Sequence, residues 1–124
     1  YDLVLSRSVL EHVNDLRATL LDIAAALKPA GQSVHKVDLK SHGLDRYREL
    51  DFLTWPELLY QTMYGAKGFP NRYRLEDYRR MVPEAGLTIT ALDIVDMTSR
   101  ESVQFIQPFL ATRFRAMDAC DLRC

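Results

Sequence analysis

The chain has 124 residues, a length that fits one domain or part of one. Hydrophobic residues make up 48% and charged residues 27%, a globular composition that excludes a disordered acidic or basic chain. Lys plus Arg is 16 against 17 for Asp plus Glu, so there is no global basic field to hold nucleic acid or an anionic membrane. No apolar run approaches the roughly 20 residues that cross a bilayer.

Residue 1 is Tyr, and Tyr1-Asp2-Leu3-Val4-Leu5 already reads as a strand, with no signal-peptide pattern before it. The sequence is therefore expected to be a piece of something longer. Cys120 and Cys124 have no His or Cys partners at ligand spacing, so they make a poor zinc site and a poor disulfide framework. Free thiols of this kind fit a reducing cytoplasm.

Tyr1 to Ser6 is a nearly continuous apolar run, as expected of a strand buried on both faces. Asn14 or Asp15 is the candidate cap of a helix whose stripe is Leu16, Leu20, Ile23, Ala24 and Leu27, stopped at Pro29-Ala30-Gly31. Gln32 to Leu39 reads as a second strand, which completes a βαβ unit. Residues 40–73 differ in kind, for seven of the twelve aromatics lie there, from Tyr47 to Tyr73. Within that stretch Thr54-Trp55-Pro56-Glu57 has capping-box spacing ahead of a short helix from Trp55 to Tyr64. Leu75 to Ala85 is the next helix, disturbed by Pro83 and ended by Gly86. Leu87 to Asp96 alternates and then slips phase, which predicts a third strand with a bulge. Ser99 caps a last helical stretch bearing Val103, Ile106, Leu110, Phe114 and Met117, with Pro108 splitting it.

The run YDLVLSRSVLEHV, a helix ending in LKPAG, a strand ending in VDLKSH and the later RLEDYRRMVPEAGL come in a specific order. Together they resemble the class I S-adenosylmethionine-dependent methyltransferases, from that family's fourth strand through its sixth, over Tyr1 to about Met97. The resemblance implies an α/β fold: a partial Rossmann-like methyltransferase sheet with a helical, aromatic-rich insertion at residues 40–73, residues 1–124 forming one partial domain. Asp121 to Cys124 is similar to the approach to the family's last strand. The family's Gly-rich turn after the first strand and its acidic residue after the second do not occur in the chain, and Ala30 stands where the second Gly of the helix-end turn is usual.

In an open parallel sheet, ligands bind beyond the carboxyl ends of strands where strand order reverses. The resemblance places that crevice beside the fourth strand. Ser6, Arg7, Ser8, Val9 and Leu10 are then the expected wall of an S-adenosylmethionine crevice, the alternative being a plain strand-to-helix connection. Methyl transfer from a sulfonium needs alignment above all, and a base only when the nucleophile must lose a proton. His12 is the candidate base or acceptor-orienting group, or else a histidine satisfied at the next helix's start. Glu11 is read as making structural hydrogen bonds. Asp38 and His42, at the end of the second strand, are candidates to touch the acceptor, or else a loop carboxylate and a solvated imidazole. His35, within the strand, has a core or edge role. The aromatic stretch is read as a substrate lid and, compatibly, as a satellite core that Leu58, Leu59 and Met63 help to fill.

The expected function is methyl transfer to a small-molecule or lipid-like acceptor in the complete domain, with no membrane partner. This chain alone is expected to bind the cofactor weakly or not at all. A second reading is a non-catalytic module that self-associates as a homo-oligomer through an exposed sheet edge. A third has the Arg/Tyr pairs around Tyr47, Tyr73 and Tyr78 gripping nucleic acid, against a salt-bridged face formed with Glu76 and Asp77.

Overall fold

The computed structural model describes residues 1–124. It is a mixed α/β arrangement built on a two-stranded parallel sheet. β1 (Leu3–Arg7) pairs with β2 (Gln32–Lys36) in a register running from Leu3 opposite Gln32 to Arg7 opposite Lys36. Parallel neighbours need a crossover, and α1 (Leu16–Ala26) supplies it. Of the two candidate caps Asp15 acts: its Oδ1 accepts the Ala18 N–H at 2.9 Å.

The helix exit is clasped to the start of β1. Lys28 donates its N–H to the Tyr1 carbonyl at 2.9 Å, and its Nζ meets Asp2 at 2.9 Å. Ala30 takes φ +63°, a left-handed conformation disfavoured for a residue with a Cβ by roughly 1 kcal/mol. Gly31 is required by close approach, since a Cβ there would lie 2.9 Å from both the Lys28 and Tyr1 carbonyl oxygens.

The strand reading of Tyr1 to Ser6 needs correction in one respect. β1 alternates instead of being buried on both faces: Leu3 and Leu5 are 50% and 67% exposed, with Val34 of β2 on the same side at 58%. The third strand is absent. Residues 87–96 pair with neither strand and lie mostly exposed, so no bulge exists. Alternation prepares a segment for a sheet but cannot supply the neighbour whose ladder it would join. Asp96 does reach Lys40 Nζ, at 2.7 Å.

The larger core lies outside the sheet. Leu50, Phe52, Leu53 and Tyr60 pack against Val103, Ile106, Leu110, Phe114 and Leu122. The 40–73 segment thus docks onto the carboxyl-terminal helices α4 (Arg100–Ile106) and α5 (Ala119–Arg123). Leu58, Leu59 and Met63 do not fill that core, being 81%, 46% and 43% exposed on α2 (Glu57–Tyr64). The Thr54–Glu57 capping box does not form either. The Thr54 hydroxyl donates to the Asp51 carbonyl, and Glu57 turns to Arg72. Ser99 caps α4 as expected, Pro108 follows its end within a 3₁₀ turn, and Asp118 caps α5. Residues 121–124 therefore belong to a helix and its end, not to the approach of a strand.

A smaller core joins α1 to α3 (Leu75–Glu84) through Leu10, Leu16, Leu20, Tyr78 and Ala85. Gly86 ends α3 at φ +81°. Between the two cores sits Arg74, 1% exposed. Its guanidinium donates to the Leu39 and Leu122 carbonyls at 2.6 and 3.0 Å and to that of Cys124, while its own N–H is taken by Asp77 Oδ2.

Candidate functional site

The site forms where β1 ends. Ser8 adopts φ +54° and gives its N–H to the Lys36 carbonyl at 2.9 Å, which closes the ladder and turns the chain outward. Val9 is left 47% exposed. Leu10–His12 then forms a 3₁₀ turn, with Leu10 buried in the smaller core as its anchor. Asn71 ties this turn from outside: its side-chain amide donates to the Leu10 and Val13 carbonyls at 2.8 and 3.0 Å, and its backbone N–H to that of Glu11.

Three of the residues singled out in the sequence come together here. The His12 and His42 rings meet edge to face, with centroids 4.8 Å apart and planes at 90°. His42 Nε2 lies 3.7 Å from Asp38 Oδ2. His42 reaches this position through a left-handed backbone, φ +53°. Asp38 is held in turn by accepting the Lys40 N–H at 3.1 Å. Ser6 is engaged elsewhere, its hydroxyl 2.7 Å from His35 Nδ1 across the sheet register. Arg7 is exposed at the end of β1.

Glu11 departs from its reading. It is 1% exposed, and neither carboxylate oxygen has a hydrogen-bond partner, so it makes no structural side-chain hydrogen bond. His12 Nδ1 is likewise buried and unpartnered. The signal available in the sequence was the adjacency of Glu11 to His12 in one tight turn.

The Arg/Tyr pairs divide. Arg79 pairs with Asp121 at 3.1 Å and Arg80 with Asp77 at 3.2 Å. Arg72 and Arg74 are buried clamps, 3% and 1% exposed, and present no face to a phosphate. Arg72 donates to the Phe52 and Trp55 carbonyls and pairs with Glu57. Burial brings the Arg74 guanidinium down to about 10, with the Cys124 end of the chain opposing that fall. An open cleft of about 470 Å³, lined by Arg48, Trp55, Phe105 and Phe109 among others, shares no residue with the histidine cluster.

Burial lowers the pKa of His35, so the fold favours its neutral form. The unfolded chain takes up a proton near the ordinary histidine value of 6.5, and the folded chain only at lower pH. Stability carried by this group is present above that value and falls as pH drops below it. Urea unfolding between about pH 7.5 and 5.5 should show this decline, and His35→Gln should flatten it; an unchanged slope in the variant would assign the decline elsewhere.

A family model described as "Methyltransferase domain" matches residues 1–92. The match covers well over half of the chain, and the chain belongs to this family of class I S-adenosylmethionine-dependent methyltransferase domains. Searches of curated proteins and of solved structures found no match. No helix is long and apolar enough to cross a membrane.

Proposed function

We propose that β1 and β2 are the fourth and fifth strands of a methyltransferase sheet, and that the chain is the carboxyl-terminal part of a domain that methylates a small-molecule or lipid-like acceptor. The observation that carries this reading is the turn Ser8–His12, which leaves the end of a parallel strand and sets His12 against the His42 ring within a matched methyltransferase domain.

The residues present fit one wall of a crevice for S-adenosylmethionine. The exposed Val9 side chain offers an apolar surface, while the Ser8 N–H is spent on Lys36 and the Ser6 hydroxyl on His35. No Gly-rich turn between strand and helix occurs in residues 1–124 to form the facing wall. When bound, S-adenosylmethionine supplies a methyl group on a positively charged sulfur. The chain's own part is to hold the acceptor in line with it. His12, His42 and Asp38 line the rim where the acceptor would sit and orient its hydroxyl. Residues 40–73, which supply His42 and the Asn71 tether of the turn, are the segment we assign as a lid for that side. Isothermal titration of the 124-residue chain with S-adenosylmethionine should give no micromolar binding. A micromolar Kd would contradict the half-crevice.

A second reading has a specific observation in its favour. The exposed face of Leu3, Leu5 and Val34, beside the unpaired edge of β1, suits self-association. Light scattering that shows a monomer at every dilution would remove it.

A further inference from the structure

We infer that Glu11, His12 and His42 form a binding site for a divalent first-row transition cation. One ligand atom from each of the three residues lies within 4.8 Å of the others, so all can reach a common ion with small side-chain adjustment. Two imidazoles and one carboxylate suit zinc, with cobalt as its probe, better than calcium, magnesium or manganese, whose preferred ligands are oxygens.

The cluster alone would not single out a metal. The second observation is Glu11 itself: a carboxylate on a residue only 1% exposed, neither oxygen of which is hydrogen-bonded. An ionised carboxylate in that condition is strongly disfavoured unless a cation compensates it. No Lys or Arg pairs with it. The buried polar atoms without partners include His12 Nδ1 and the Tyr78 hydroxyl as well. Asp38, 3.7 Å from His42 Nε2, is placed to steady that imidazole from outside the ligand set.

Loss of metal binding would not touch the methyltransferase reading, because the site stands on its own residues. Only the use of the cation there, to grip an acceptor oxygen, rests on that reading. The test is titration of the metal-free protein with Co2+, followed by visible absorption and by competition with Zn2+. Both cysteines are free thiols that bind the same ions, so the protein carries C120S and C124S. The expected result is saturation at one Co2+ per chain, displaced by Zn2+. Affinity should fall by about tenfold or more in His42→Ala and in Glu11→Gln, and stay unchanged in His35→Gln. If Glu11→Gln fails to fold, His42→Ala, at the surface end of the cluster, decides alone. No saturable binding once the thiols are gone, or equal affinity in His42→Ala, overturns the site.

Discussion

Replacing Arg74 by Met should destabilise the fold by about 3–5 kcal/mol, the range for removing one partner from a buried charged network. The guanidinium fork joins three carbonyls drawn from the end of β2's exit, from α5 and from the last residue. Methionine fills similar volume but donates nothing, so those acceptors would be stranded away from water. Asp77 would lose a neighbouring cation and keep only Arg80 and Arg113, at 3.2 Å each. Only 22 of 124 residues are buried, so the chain has few other contacts to absorb the loss. Urea unfolding should show the change, and Tm should drop by roughly 10–20 °C. Arg74→Lys, which keeps the charge but not the fork, should fall between. A loss under about 1 kcal/mol in Arg74→Met would mean the clamp is not what joins the two cores.

Phe114→Ala should cost about 3–5 kcal/mol, as other buried Phe truncations do. Phe114 is fully buried among Ile106, Leu110 and Leu122, and the Arg72 and Arg113 guanidinium carbons lie 5.3 Å from its ring. Removing the ring opens a cavity and also takes away the surface on which two cations rest. Phe109, 59% exposed a few residues earlier, provides the contrast: Phe109→Ala should stay within about 0.5 kcal/mol. Equal effects at the two positions would contradict the docking of the 40–73 segment onto the carboxyl-terminal helices.

What the sequence made legible is mostly local. Asp15, Ser99, Gly86 and Pro108 act within a turn of their own position, and each does what its chemistry demands at a helix end. The parallel pairing of β1 with β2 also follows from a local pattern, strand, helix, strand. Misreadings arose where the outcome depends on a distant partner. Residues 87–96 alternate as a strand does but find no free ladder. Arg72 and Arg74 look like solvated cations, yet the carbonyls that bury them come from segments up to fifty residues away. At the site, His12, Asp38 and His42 were legible as strand-end residues. The contact of His12 with His42 was not, because it depends on a left-handed turn at a residue that rarely takes one. Glu11 lies next to His12 in the sequence, yet nothing local announces that the fold leaves its carboxylate buried without a hydrogen-bond partner.

The central claim is that the turn after β1 is a wall of the methyl-donor crevice. NMR amide shifts of the chain titrated with S-adenosylhomocysteine to millimolar concentration test it most directly, since weak binding still moves resonances of the contacted groups. Shifts concentrated at Ser8, Val9 and Leu10 and extending to His12 are the expected result. Shifts confined to the cleft of Arg48, Trp55 and Phe109 would contradict the account.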